Sequence, residues 1–349
     1  MVQSSHLSGH PPLVSIIASS YNHERWIVET LESIGAQTFR DFELVYADDA
    51  SSDQSVNLAT AWLRDRPFAV QTVLHSENRG VCRTFNDALK QCRGRYLQIV
   101  SCDDILRPEK LARQVDILGN ADPDVALVYS GAEIIDADSA VVSSNHHDLY
   151  CKLSTELPNR PFEWLLRGNT ISAPSVLVRA DALRTAGGYD EGLSCEDWDM
   201  WLRLARNWRF VYSSYVSVAY RLLGNGLHTR IPRADTYWTL RKHVDAELAR
   251  SGMLWVVHCL YESGTLTDDI RHNFLDCARS FADLRSLRNH FIRWNAPPSL
   301  CRSLITVKNA LKRAGGLLSG SERSEVVMAE PIHEMAASSV PAMVVEIEG

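Results

Sequence analysis

Two adjacent carboxylates follow directly after an apolar run in this chain. Residues 99–104 read IVSCDD, so Asp103 and Asp104 stand at the end of a predicted buried strand. Burial and mutual repulsion raise the pKa of such carboxyl groups unless a cation or hydrogen-bond donors compensate their charge. A divalent cation is the simplest compensation, because Mg²⁺ and Mn²⁺ take oxygen ligands and are often held by only one or two carboxylates.

A second acidic pair, Glu196 and Asp197, opens a helical pattern in SCEDWDMWLRLA, residues 194–205. Paired carboxylates of this kind can take part in acid–base chemistry. The alternative is structural, because acidic residues interact favourably with the dipole at the N-terminus of a helix. Taken without other evidence, the pattern favours the structural role.

The elements that must position these acids alternate regularly through the first half of the chain. Short apolar runs predict strands, and segments with apolar residues at helical spacing lie between them. This order predicts an α/β fold with a mostly parallel central sheet flanked by helices. The strands are predicted at 13–19, 42–47, 69–75 and 95–101, and the helices within 22–37, 51–66, 80–92 and 108–118.

Polar residues follow three of these predicted strands. Strand one ends in SSYN (19–22), strand two in DDASSD (48–53) and strand four in SCDD (101–104). Ligands of parallel α/β sheets bind at the carboxyl ends of the strands, so the three loops are expected to converge on one site. Any single loop has a simpler explanation, because Asp, Asn and Ser also favour helix caps and turns.

Composition excludes several classes of function. The chain has 349 residues, is 45% hydrophobic and carries a formal charge of −7, so no basic surface for nucleic acid is indicated. Its eight cysteines include no C-x-x-C pair, which argues against a zinc site and a disulfide framework. The first residues do not read as a secretory signal, and no apolar stretch of about 18 residues occurs. These features predict a cytoplasmic protein.

Four segments, in order, resemble the inverting nucleotide-sugar glycosyltransferases of family 2, which have the GT-A fold. They are VSIIASSYN (14–22), FELVYADDASSD (42–53), the stretch from Glu77 to Leu111 with the acidic pair, and residues 168–205 with Glu196 and Asp197. The resemblance covers about residues 13–225. It implies a GT-A domain and a sugar donor linked to a nucleoside diphosphate.

The resemblance also implies roles for individual residues on the nucleotide side. Ser19 and Tyr21 match residues that line the nucleobase pocket, and Asp49 matches a carboxylate that accepts a hydrogen bond from uracil or thymine. Asp103 matches a residue near the ribose and diphosphate. Asp104 matches the direct ligand of a Mn²⁺ or Mg²⁺ ion.

On the acceptor side, Asp197 matches the catalytic base, with Glu196 as its neighbour and second choice. The implied reaction moves a sugar from a UDP- or dTDP-linked donor to a hydroxyl group with inversion. The expected acceptor is a saccharide or a lipid-linked saccharide in cell-surface polysaccharide or lipopolysaccharide assembly.

Two positions depart from the pattern of the family. Many relatives have an aspartate where Ser101 stands, so a metal ion would have fewer carboxylate ligands here. Many also have a histidine two residues after a Tyr-Arg pair, where this chain has Leu223; the next histidine, His228, is expected to face solvent.

The chain divides into four predicted regions. Residues 1–12 are expected to be disordered, 13–230 to form the glycosyltransferase domain, 231–318 to form a helical appendage, and 319–349 to be a disordered tail. Residues 299–318 place Lys308, Lys312 and Arg313 beside an apolar stripe. This pattern is typical of an interfacial helix at the inner face of an anionic membrane, and equally of an ordinary packed helix.

Two other classes of protein have to be weighed. A dinucleotide-dependent oxidoreductase would need G-x-G-x-x-G after strand one, whereas ASSYNHERW (18–26) contains no glycine. The stronger alternative is a glycosyltransferase-like module that binds a nucleotide or a protein partner without turnover. Loss of transfer in an Asp197→Ala variant that still binds nucleotide would distinguish the enzyme from that module.

Overall fold

The computed structural model describes residues 10–144, 160–166, 168–193, 196–223, 233–243 and 245–278. The chain divides into two compact units, Met1–Ile231 and Pro232–Gly349. Strands and helices are numbered here over the described residues. His228, the basic segment 299–318, the predicted tail 319–349 and residues 1–9 of the predicted disordered N-terminus lie outside them, whereas residues 10–12 are described.

The described residues of the first unit include nine strands and a short 3₁₀-helix at Ala173–Ser175. The strands are β1 (Val14–Ser20), β2 (Phe42–Asp48), β3 (Val70–Leu74), β4 (Tyr96–Ser101), β5 (Ile105–Leu106), β6 (Val125–Ile135), β7 (Val141–Ser143), β8 (Leu177–Arg179) and β9 (Arg209–Arg221).

Helices cover this sheet and also build the second unit. The first unit contains α1 (Ile27–Gly35), α2 (Ser55–Leu63), α3 (Val81–Leu89), α4 (Lys110–Asn120), α5 (Phe162–Leu165), α6 (Ala180–Thr185) and α7 (Glu196–Ala205). The second unit contains α8 (Arg233–Arg241), α9 (Glu247–Ser263) and α10 (Asp268–Ala278).

All nine strands belong to one sheet of order β3-β2-β1-β4-β8-β6-β9-β5, with β7 paired to β6. The first four strands are parallel, as the alternating pattern predicts. Beyond β4 the sheet is mixed: β8 runs antiparallel to β4 and β6, β9 runs parallel to β6, and β5 runs antiparallel to β9. The predicted α/β class is therefore confirmed, with a mixed second half of the sheet.

The core forms where the parallel strands meet their helices. All seven residues of β1 are buried, as expected for a strand covered on both faces. Helix α1 buries Ile27, Leu31 and Ile34, which recur at helical spacing and pack in the same core cluster. This core gives rigid support to the loops that follow the strands.

The second unit is helical over its described residues. Tyr237 of α8 is buried, and its hydroxyl group donates to Asn273 Oδ1 of α10 at 3.0 Å. Arg241 Nε donates to the same oxygen at 2.9 Å. Within the described residues, no helix is long and apolar enough to cross a membrane.

Candidate active site

The ends of β1, β2 and β4 meet at one edge of the sheet. Ser20 lies opposite Asp48, and Ser19 lies opposite Ser101, in the two parallel ladders of β1. The structure therefore brings together the three loops that the sequence predicted to converge.

Asp48 joins the ends of the first two strands. Its buried carboxylate accepts from the hydroxyl of Ser20 and, at 2.6 Å, from that of Ser51. Ser51 Oγ in turn accepts from the backbone N–H of Asn22 at 2.9 Å. Asp48 thus fixes the path of both loops and has a structural role.

Asp49 is only 4% exposed and is held by three donors. Its Oδ1 accepts from His75 Nδ1 at 2.9 Å and from the backbone N–H of Arg79 at 2.8 Å, while Oδ2 accepts from the N–H of Gly80 at 2.9 Å. Burial alone would raise the pKa of Asp49, but these hydrogen bonds outweigh it and hold the pKa below its ordinary value. Asp49 is therefore an ionised acceptor at neutral pH.

The residues predicted to line a nucleobase pocket lie beside Asp49. The backbone N–H of Asp49 donates to the carbonyl of Ser20 at 3.0 Å, which brings it next to Tyr21. Ser19 is buried, whereas Tyr21 is 47% exposed. An exposed aromatic face beside an ionised carboxylate suits a planar base that both stacks and donates a hydrogen bond.

Asp104 is 3% exposed and anchored on two sides. Its Oδ1 accepts from the backbone N–H of Arg221 at 2.8 Å, and its carbonyl accepts from Thr30 Oγ1 at 2.7 Å. Burial, and then the charge of Asp103, raises the pKa of Asp104. Within the described ranges no donor reaches Asp104 Oδ2 or the carboxylate of Asp103, which is partly exposed.

Arg221 at the end of β9 holds this acidic loop in place, and the sequence analysis did not single it out. Its buried guanidinium donates to the carbonyls of Asp103 and Asp136, both at 2.7 Å. It also forms an ion pair with Glu29 of α1 at 2.7 Å. Because these contacts use the carbonyl of Asp103, its carboxylate stays available.

The acidic pair can be tested as a metal site. Over the part of the chain that is described, no three His, Cys, Asp or Glu side chains cluster closely enough to hold a metal ion by themselves. Asp103 and Asp104 nevertheless offer adjacent carboxylate oxygens that form no ion pair among the described residues, although the nearby charge of Arg221 opposes the burial-driven rise in the pKa of Asp104, and hard divalent cations bind such oxygens. The residues therefore fit a cation whose remaining ligands come from substrate and water.

Asp197 lies in the first turn of α7 and is held by two donors. Asn169 Nδ2 donates to its Oδ2 at 2.8 Å, and the backbone N–H of Trp198 donates to its Oδ1 at 2.6 Å. Burial raises the pKa of Asp197, and the two hydrogen bonds oppose that rise. Burial and the charge of Asp197 raise the pKa of Glu196 to about 8, so Glu196 keeps its proton at neutral pH.

A small pocket places Asp197 beside the strand that carries the metal candidates. Glu196 and Asp197 line it together with Leu97 and Ile99 of β4, and β4 ends at Ser101. The other walls include three aromatic side chains, Phe85, Tyr189 and Trp201.

Helix α3 connects the surroundings of Asp49 with those of Asp197. Gly80, directly before the helix, donates to Asp49. Farther along, Phe85 packs on Tyr189 with ring centroids 5.3 Å apart, and Asn86 exchanges two hydrogen bonds with the backbone of Tyr189, at 2.9 and 2.8 Å. The predicted nucleotide side and the predicted base are thus linked through one short helix.

A larger cavity lies at the opposite edge of the sheet, where the parallel strands begin. Leu13, Asp41 and Arg95 are among its lining residues. Arg179 also lines it, but its guanidinium donates to the carbonyl of Leu118 at 2.9 Å near the end of α4. This arginine stabilises a helix end, and the cavity contains none of the predicted site residues.

Comparison with known proteins gives a consistent result. The sequence model described as glycosyl transferase family 2 matches residues 15–179. An uncharacterized glycosyltransferase, RP339 of Rickettsia prowazekii (strain Madrid E), is 30% identical over 207 residues, which are 56% of this chain and 60% of that protein. The putative glycosyltransferase EpsE of Bacillus subtilis (strain 168) is 27% identical over 196 residues, 55% of this chain and 66% of EpsE.

Two solved structures share the fold. S. aureus TarS 1-349 in complex with UDP-GlcNAc has a TM-score of 0.58 at 18% identity. The match covers 86% of this chain and 92% of the TarS chain. The mannosyltransferase PcManGT from Pyrobaculum calidifontis, in complex with GDP-Man and Mn²⁺, has a TM-score of 0.50 at 18% identity, with coverages of 94% and 84%. The predicted GT-A fold is confirmed by these similarities.

Proposed function

Because residues 15–179 match the sequence model described as glycosyl transferase family 2, we propose that this protein transfers a sugar from a UDP- or dTDP-linked donor to a hydroxyl acceptor with inversion. One observation carries the proposal. Asp197, a carboxylate held by two donors, lies beside the strand whose end bears Asp103 and Asp104. This neighbourhood supports the assignment of Asp197 as a base that acts near a diphosphate held by Asp103 and Asp104.

The nucleoside is proposed to bind at the ends of β1 and β2. Tyr21 would stack on the base, Ser19 would line the pocket, and the ionised carboxylate of Asp49 would accept the N–H of uracil or thymine. Asp103 would face the ribose and diphosphate. The UDP-GlcNAc and GDP-Man complexes of the two structural neighbours support a nucleotide-sugar donor as the class of ligand.

Asp104 is proposed to hold a Mn²⁺ or Mg²⁺ ion through its free Oδ2, with Asp103 beside it. A cation bound there would stabilise the negative charge that grows on the departing diphosphate. The Mn²⁺ complex of the mannosyltransferase neighbour supports this assignment. Ser101, which replaces an aspartate of many relatives, leaves this ion with fewer carboxylate ligands.

Asp197 is proposed to remove the proton of the acceptor hydroxyl as that oxygen attacks the anomeric carbon. The new bond joins the acceptor oxygen to this carbon, and the bond from the carbon to the diphosphate breaks on the opposite face, which inverts the configuration. Glu196 is the weaker candidate, because its pKa of about 8 leaves it protonated at neutral pH.

The acceptor is proposed to be a saccharide or a lipid-linked saccharide used in cell-surface polysaccharide or lipopolysaccharide assembly. The chain spans 60% of the first curated relative and 66% of EpsE. The activity of those full-length proteins is therefore not assigned to this chain, and the acceptor is part of the proposal. Contact of residues 299–318 with the inner face of a membrane remains a prediction.

The test is a screen of nucleotide sugars for Mn²⁺-dependent hydrolysis, because slow donor breakdown does not need the true acceptor. We expect a UDP- or dTDP-sugar to be consumed by the wild type. Nucleotide binding with no breakdown or transfer from any donor would instead favour a non-catalytic binding module.

Once a donor and an acceptor are found, Asp197→Asn should lower the transfer rate by about 10²- to 10⁴-fold, the usual contribution of a positioned base. The affinity for UDP should stay unchanged, as measured by calorimetry. Asp181→Asn, at the opposite edge of the sheet, is the matched control and should transfer at the wild-type rate. Equal rates for wild type and Asp197→Asn would contradict the proposed base.

A further inference from the structure

Asn169 has a side-chain amide whose orientation is fixed by its own segment. Its Oδ1 accepts from the backbone N–H of Ile171 at 3.2 Å. The Nδ2 group must therefore point the other way, where it donates to Asp197 Oδ2 at 2.8 Å. Because an N–H group can only donate, this contact is made to a carboxylate oxygen that acts as an acceptor.

The two donors to Asp197 come from different parts of the chain. The N–H of Trp198 belongs to the same helix as Asp197, whereas Asn169 lies 28 residues earlier, just before the short 3₁₀-helix. One donor on each oxygen fixes both the position and the rotation of the carboxylate. The Trp198 contact alone would leave the group free to turn about its bond to Cβ.

The charges around Asp197 show that its ionised form depends on neutral donors such as Asn169. Among the described residues, Glu196 and the hydroxyl of Tyr189 are titratable groups whose charges couple to Asp197, and neither is a cation. Arg203 of the same helix pairs with Asp199 instead, at 2.8 Å. Within the described residues, no Lys, Arg or His forms an ion pair with Asp197, so neutral donors alone favour its ionised form.

We propose that Asn169 is a positioning residue for the reaction, which orients the Asp197 carboxylate and keeps it in the ionised form that can take a proton. The inference rests on the proposed function of Asp197 as base, and it adds the residue that prepares this base. Asn169 itself need not touch the substrate.

The pH dependence of the rate separates this role from a merely structural one. A base works only when ionised, so the rate rises with pH through its pKa. Asn169→Ala removes a donor to the ionised form and should move this rise to higher pH by about one unit. Asn169→Asp keeps the shape and the acceptor for Ile171 but adds a negative charge, so its shift should be larger.

The experiment measures kcat/KM against pH for wild type, Asn169→Ala, Asn169→Asp and the control Asn120→Asp. Asn120 is a matched control because it donates to Asp116 at 3.1 Å on the exposed surface of α4. We expect shifts only in the two Asn169 variants. An unchanged pH profile, or an equal loss of rate at every pH, would overturn the proposal.

A second readout does not depend on turnover. The pKa of Asp197 can be followed by carbon-13 NMR of the aspartate carboxyl groups, with Asp197→Asn used for assignment. Asn169→Ala should raise that pKa, and an unchanged value would overturn the inference. If the wild type turns over no donor, the proposed function fails, while this titration still decides the role of Asn169.

Discussion

Asp49 is buried and Asp197 is partly buried, and the pKa values of their carboxyl groups shift in opposite directions. Asp49 has three donors, which lower its pKa despite burial. Asp197 has two, and burial prevails, so its pKa rises. A carboxylate with a lowered pKa is a permanent acceptor for a ligand, whereas a raised pKa brings a base closer to the pH at which it must exchange a proton. The two shifts agree with the proposed roles.

One substitution at Asp104 should remove the proposed metal binding while keeping the hydrogen bond from Arg221 that supports the fold. Asp104→Asn keeps an oxygen that can accept the N–H of Arg221 but removes the negative charge. We expect Mn²⁺ to tighten UDP binding to the wild type and to have little effect on the variant, as measured by calorimetry with and without Mn²⁺. An equal Mn²⁺ effect in both proteins would exclude Asp104 as the ligand, and Asp181→Asn serves as the control.

Glu196 should make the stability of the protein depend on pH. Its pKa is raised from 4.5 to about 8, chiefly by burial, so the folded state keeps a proton that the unfolded chain releases. Stability therefore falls as pH rises from about 5 to 8, and the contribution is lost above the folded pKa. Glu196→Gln should reduce this fall by roughly 1–3 kcal/mol, measured by urea unfolding at pH 5 and pH 8.

The exposed Glu191 provides a control for that measurement, since Glu191→Gln should leave the pH dependence as it is in the wild type. A wild-type stability that does not fall between these pH values would show that Glu196 is ionised in the folded protein. Its role as a protonated neighbour of Asp197 would then have to be abandoned.

At the scale of elements, α3 is the part that joins the two sides of the site. Asn86 makes two hydrogen bonds with the main chain of Tyr189, close to Gly188, and a third with Glu191 Oε1 at 3.2 Å. Gly188 has φ +74°, and a Cβ there would lie 2.7 Å from Asn86 Oδ1. A glycine is therefore required at 188 for both its backbone conformation and this close approach.

Asn86→Ala should loosen the segment that leads from Tyr189 to Asp197. It leaves a buried N–H and a buried carbonyl without partners, which costs about 1–3 kcal/mol of unfolding free energy. We expect slower transfer with UDP affinity retained, measured by urea unfolding, kinetics and calorimetry. Asn57 of α2 makes an exposed contact with Gln54, so the control Asn57→Ala should change neither the stability nor the transfer rate. Transfer at the wild-type rate in Asn86→Ala would show that α3 does not position the base.

The parallel half of the fold and the acids at its strand ends could be predicted from the sequence, because both depend on local patterns. β1 and β4, for example, lie within the predicted runs 13–19 and 95–101 or one residue beyond. The mixed half of the sheet could not be predicted in this way. Strand β8 has only three residues, and its pairing with β4 joins segments about 80 residues apart, which no local pattern records. The backbone donors of Arg79 and Gly80 leave no signal either, because every residue except proline has an N–H group.

At the scale of the whole molecule, every residue of the candidate site belongs to the first compact unit, which ends at Ile231. A chain that ends at residue 231 should therefore fold and bind UDP with unchanged affinity. Circular dichroism and calorimetry test this expectation. An unfolded or aggregated product, or a loss of binding, would show that the second unit is needed for the first.

The contact between Asp104 and Arg221 spans 117 residues of sequence, and this separation has a consequence for biosynthesis. A ribosome releases Asp49, Asp103 and Asp104 long before it has made the strand that anchors the acidic loop. Long-range pairings of this kind form late in folding. We expect the acidic loop of Asp103 and Asp104 to stay unordered in a nascent chain until β9 has been added.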